Sequence, residues 1–86
     1  MNRESLKSAI HAKVVELAKV LGMDAGDLTD DDIIPATGYL DSAAILELVV
    51  WYEGHCGIRL AQEDINIDNL GSVNAMADYA LKKPAG

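Results

Sequence analysis

The chain has a single cysteine, Cys56, in 86 residues, so it cannot form an internal disulfide. Without a C-x-x-C pair it also offers neither a zinc knuckle nor a dithiol redox centre. No stretch approaches the ~20 consecutive apolar residues that span a bilayer, and Met1-Asn2-Arg3-Glu4-Ser5 lacks the apolar run of a signal peptide. These absences set the expectation of a soluble, cytoplasmic protein with no membrane partner. Bases are scarce in the middle of the chain. From Asp24 to Asp68 eleven acids face one base, Arg59, within a total of 14 acids against 7 bases and a formal charge of −7. Binding a phosphate backbone needs Lys and Arg to displace counterions, so the acidic middle argues against nucleic acid and points to basic protein partners. Internal repeats and low-complexity segments are absent too.

What is present is one small domain, residues 1–86 with a core of about 3–82, and 50% of its residues are hydrophobic. That suffices for a modest core and leaves no room for a roomy enzyme cleft. Leu6, Ile10, Val14, Leu17 and Leu21 recur at steps of four, four, three and four, which predicts an amphipathic helix over residues 3–21 ended by Gly22. Residues 23–41, with Gly26, Pro35, Gly38 and six aspartates, read as a long irregular connection pinned by Leu28, Ile33, Ile34 and Leu40. A second helix is expected from Ser42 to near Gly57, then an extended link over 58–60, a single-turn helix over 62–67, and a last helix capped by Ser72 and stopped by Pro84. The fold class is therefore all-α: a small four-helix bundle with a long first connection and a short third helix.

At 100° per residue the second helix presents two apolar arcs. Ile45, Leu48, Val49, Tyr52 and Cys56 make one; Ala43, Leu46 and Val50 make the other. A bundle this small cannot bury both equally. With the first arc in the core, the second becomes an exposed strip edged by Glu47 and Glu53, the kind of surface that docks partners. Ser42 opens this helix, where its hydroxyl can cap orphan N–H groups and where the helix dipole favours a phosphate. A serine acting as a nucleophile by itself needs a base within reach. His55 is thirteen residues along the same helix, about 20 Å away, and His11 lies on another helix, so no catalytic role is expected for this chain.

Gly38-x-Leu40-Asp41-Ser42, then Leu46-Glu47-Leu48, Glu53, Gly57-Ile58 and Glu63-Asp64-Ile65 through Ser72-Val73, resemble the acyl and peptidyl carrier proteins over roughly residues 6–81. The resemblance implies a right-handed bundle of acyl-carrier type. It further implies that Ser42 receives 4′-phosphopantetheine from a phosphopantetheinyl transferase, with Asp41 helping to position it, and that Ala43, Leu46, Glu47, Val50 and Glu53 meet partners. Those partners would be the transferase, an adenylating ligase or acyltransferase, and downstream tailoring or condensing enzymes, all meeting a monomeric carrier. Asp41-Ser42-Ala43-Ala44-Ile45 and the later Asn-Leu-x-Ser-Val look most like free-standing aminoacyl carriers of the prolyl type, which serve secondary-metabolite and nonribosomal-peptide chemistry. A polyketide or fatty-acid carrier is the first alternative, and an unmodified acidic adaptor the second.

The remaining residues read plainly. Asp24, Asp27, Asp30, Asp31 and Asp32 fit no metal-ligand spacing and suggest a solvated face that recruits basic partners. Asp64-x-Asn66-x-Asp68 starts like a calcium loop, but Asn69 stands where glycine is needed and Ala75 where glutamate closes the site. Cys56 fits the core as a small apolar residue. Trp51 points away from the chosen core arc, either towards the loop or towards a partner.

Overall fold

Five α-helices and one 3₁₀ turn, with no strand among the described residues, make up the computed structural model, which describes residues 2–82. Helix α1 spans Arg3–Val20. Asn2 caps it by accepting from the Ser5 N–H at 2.7 Å, and Gly22 at φ 76° turns the chain away in the left-handed conformation that glycine tolerates. Leu6, Ile10, Val14 and Leu17 are buried, as their spacing predicts, whereas Leu21 sits at the C-cap and is 42% exposed.

The connection to the next long helix is not wholly irregular. It contains a single helical turn, α2 (Ile34–Thr37), with Pro35 in its first turn and Gly38 ending it at φ 80°. Four residues are too few to show a periodicity, so apolar spacing could not reveal it. Leu28, Ile34 and Leu40 pin the segment into the core, but Ile33 faces outward. The acidic run is also less free than expected. Asp24 accepts from the Gly26 N–H and Asp32 from the Thr29 N–H. Lys7 pairs with Asp30 at 2.8 Å, and the Asn74 amide donates to Asp31 at 2.6 Å. Four of the five aspartates thus shape the connection and tie it to the helices at either end of the chain.

Helix α3 (Ser42–Cys56) ends at Gly57, φ 65°. Ala44, Leu48, Val49 and Tyr52 are buried, with Ile45 and Cys56 partly so, which makes this the core arc. The short third helix divides in two. A 3₁₀ turn over Gln62–Asp64 is followed by α4 (Ile67–Leu70), because the Asn66 side chain takes the Asn69 N–H and restarts the helix one turn later. Gly71 follows, and its carbonyl accepts from the Ile34 N–H at 2.7 Å. A Cβ at Gly71 would run into the Ile67 carbonyl oxygen, so only glycine fits this junction.

Helix α5 (Val73–Lys82) is capped by Ser72, whose Oγ accepts from the Ala75 N–H at 3.1 Å. The stop expected from Pro84 lies outside the described residues. Val73, Met76 and Ala77 are buried, Ala80 half-buried, and Leu81 exposed. Helix α1 packs against both α3 and α5, with α4 against α5. The Tyr52 hydroxyl crosses the core to donate to the Met76 carbonyl at 2.7 Å, and burial pushes the phenol well above its ordinary pKa.

Two predictions follow from this packing. Tyr52→Phe strips a buried carbonyl of its tyrosine donor and should cost about 1 kcal/mol in urea unfolding. At the surface, the Arg3 guanidinium hydrogen-bonded to Asp78 at 2.7 Å holds that carboxyl below the usual carboxylate range. A lowered folded-state pKa stabilises above the unfolded value of about 3.9, and the benefit disappears as pH falls through the folded value. Asp78→Asn should therefore narrow the stability gap between pH 7 and pH 3, and wild-type behaviour across that range would exclude a role for the pair.

Candidate functional site

Ser42 stands between two anchors. Leu40 is buried two residues before it and Ala44 two residues after, so the intervening tripeptide Asp41-Ser42-Ala43 is held out on the surface between them. The capping role expected of Ser42 belongs to Asp41. This residue is extended, at φ −86° and ψ 179°, and its Oδ1 accepts from the Ala44 N–H at 2.8 Å while its carbonyl accepts from Ile45 at 2.9 Å. The helix therefore starts one residue earlier than a serine cap requires, and a carboxylate is the stronger acceptor for that N–H.

The consequence for chemistry is direct. The Ser42 hydroxyl is exposed and carries no capping duty. The N–H groups of Ser42 and Ala43, first in the helix, have no intrahelical acceptor, so oxygens of a phosphate ester on Ser42 find donors and the positive helix end beside them. Neither histidine can activate the hydroxyl. His11 donates from Nε2 to the Leu28 carbonyl at 3.1 Å, and His55 sits in the last turn of α3, its ring stacked on Trp51 at 4.8 Å between centroids. That stack, on the half-buried margin of the core, is where Trp51 goes. Burial pushes the Cys56 thiol up, away from thiolate reactivity.

Seen down α3, Ser42 lies on a ridge between two clefts. On one side a groove of ≈ 420 Å³ runs between the end of α1 and the start of α3. Leu46, 64% exposed, and Val50, 61% exposed, form its α3 wall with Ala43. Val20 and Leu21 of α1 form the other, and Asp41 and Glu47 stand at its edge. On the other side a smaller cleft of ≈ 180 Å³ lies between Ile45 and Val49 of α3 and Ile65, Ile67 and Leu70.

Of the residues singled out from sequence, Asp41, Ser42, Ala43, Leu46, Glu47 and Val50 come together at this end of α3. Glu53 does not join them as a free acid: its carboxylate accepts from the Leu60 N–H at 2.9 Å and holds the link after the helix. The α1 wall was missed. Its signal was Val20, an apolar residue out of step with the Leu6-to-Leu21 series and 81% exposed.

An exposed serine with no activator, at a helix start built for phosphate, agrees with a match to a family model. The model for the phosphopantetheine attachment site covers residues 14–80. The chain belongs to the phosphopantetheine-attachment family. It is also 33% identical over 70 residues to a D-alanyl carrier protein of Streptococcus sanguinis (strain SK36), an alignment covering 80% of this chain and 87% of that protein. No solved structure matches it significantly. The family is one of carriers, not catalytic in themselves, and its covalent 4′-phosphopantetheine is the cofactor here. Its members meet phosphopantetheinyl transferases and the ligases or acyltransferases that load them. Within the family fold, no helix among the described residues is long and apolar enough to cross a membrane.

The division of labour between Asp41 and Ser42 is measurable. Asp41→Ala should lower unfolding free energy by about 1 kcal/mol, the usual value of a lost cap. Ser42→Ala should change it by less than about 0.5 kcal/mol. Equal losses in thermal or urea unfolding would return the cap to the serine.

Proposed function

We propose that the chain is a discrete cytoplasmic carrier, acting as a monomer, that holds an aminoacyl or acyl group on 4′-phosphopantetheine attached at Ser42. The observation that carries this reading is the free, exposed Ser42 hydroxyl at the start of α3 in a chain of the phosphopantetheine-attachment family. In the attachment step Ser42 Oγ bonds to the pantetheine-bearing phosphorus of coenzyme A. Its proton passes to a base of the transferase, and adenosine 3′,5′-bisphosphate leaves. Asp41 keeps the α3 start rigid during that step, and Leu40 and Ala44 keep it presented. The bound group supplies a thiol that holds cargo as a thioester. The chain's own contribution afterwards is presentation: tethering raises the cargo's local concentration at each partner's active site.

Two observations favour an aminoacyl cargo. The residues after the serine, Ala43 and Ala44, are small and uncharged where fatty-acid carriers usually have leucine and an acid, and the relative with 33% identity is by name a D-alanyl carrier. D-Alanine or another small amino acid, activated by an adenylating ligase, is the cargo class we favour. Within that reading the strip of Ala43, Leu46 and Val50 with Glu47 meets the partners.

Incubation with a promiscuous phosphopantetheinyl transferase, coenzyme A and magnesium, followed by intact mass, should add one phosphopantetheine to the wild type and none to Ser42→Ala. Absence of the increment on wild type, or its persistence in the variant, would overturn the attachment site. The modified carrier should then accept an amino acid from a ligase and ATP; loading only by malonyl or acyl donors would favour the polyketide or fatty-acid reading.

A further inference from the structure

We propose that the last turn of α1, through Val20 and Leu21, is the second half of the surface on which the phosphopantetheinyl transferase docks, an inference that rests on Ser42 as the attachment site. The groove beside Ser42 is two-walled, and the wall opposite Leu46 and Val50 comes from α1. Val20 is the most exposed large apolar side chain among the described residues, at 81%. With Leu46 and Val50 across the groove it forms one continuous apolar surface next to the modified serine. Single exposed apolar residues need no explanation, but a set lining one groove does.

Geometry selects the occupant. Later partners reach cargo at the far end of a long flexible arm and can hold the protein at a distance. The transferase acts before the arm exists, so its active site must close on Ser42 itself and cover what lies one residue to either side. Those flanking residues, Asp41 and Ala43, both line the groove. Its charged side chains are Asp41 and Glu47, with no base among the residues that line it. The complementary transferase surface is therefore an apolar segment edged by Lys or Arg, which adds electrostatic steering to apolar contact.

Pantetheinylation kinetics of the full chain, with coenzyme A saturating and carrier concentration varied, test this. Val20→Ser and Leu46→Ser should each raise KM for the carrier by about three- to tenfold with kcat little changed, the mark of lost binding rather than lost chemistry. Leu81→Ser, which removes an exposed apolar side chain on α5 away from the groove, should leave both constants alone. Glu47→Gln should flatten the rise of KM with salt. Circular dichroism matching wild type keeps the comparison on docking. A wild-type KM in Val20→Ser, or an equal rise in Leu81→Ser, overturns the α1 wall while the mass increment at Ser42 still appears. No increment on wild type would instead overturn the attachment reading itself.

Discussion

A single limit governs the molecule: helix α3 carries more apolar surface than a bundle of this size can bury. One arc had to be chosen, and Tyr52 decides which. It is fully buried and its hydroxyl is satisfied by the Met76 carbonyl of α5. Rotating α3 to bury Leu46 and Val50 would break that hydrogen bond and leave the buried Met76 carbonyl without its tyrosine donor, at a cost of about 1 kcal/mol. With Tyr52, Leu48 and Ala44 inward, the 100° step between residues turns Leu46 and Val50 out to solvent and puts Ser42 at the border of the buried arc. The exposed apolar strip and the exposure of the serine are both consequences of the same rotation.

The same economy explains the connection before α3. A long acidic loop would wander, and the start of α3 would wander with it. Instead its carboxylates are used locally. Asp24 and Asp32 close turns on backbone N–H groups, while Asp30 and Asp31 reach Lys7 and Asn74. Asn74 also accepts from Arg3 and donates its backbone N–H to the Asp30 carbonyl, so one residue of α5 joins the loop to α1. Individually such exposed pairs contribute little. As a network with fixed geometry they set where the loop begins its run to Gly38, Leu40 and the Asp41 cap.

Much of this was legible because the long helices obey their periods. Leu6, Ile10, Val14 and Leu17 on α1 and the Leu48–Tyr52 arc on α3 are buried as their spacing predicts. Legibility ended where structure is shorter than one period. The turn α2, and the division of the 62–67 segment by Asn66, are four-residue or smaller events decided by single caps. Exchange of roles between Asp41 and Ser42 belongs to the same class, since both residue types cap helices well and only the backbone reveals which one is extended. Long-range partnerships such as Glu53 with Leu60 carry no periodic signal either, which is why an acid on the strip's margin reads from sequence as a free one. Groove walls contributed by two helices are invisible for a related reason: Val20 and Leu46 become neighbours only once α1 and α3 are packed.

On the proposed reading, leaving Ser42 without a base is itself functional. A carrier whose serine had an internal activator could react with whichever electrophile arrived, and its thioester cargo would face an internal nucleophile once loaded. Here the cap is made by Asp41, the His11 ring is spent on the Leu28 carbonyl, and His55 is held at the opposite end of α3. Reactivity must then come from outside, which makes docking the step that confers specificity. Such docking has to be brief, because each enzyme must release the carrier to the next, and affinity among related complexes is set chiefly by the rate of leaving. On the proposed reading, a shallow groove with apolar walls and two acids among its lining residues suits that demand: it would offer enough surface to orient Ser42 and too little to hold a partner afterwards.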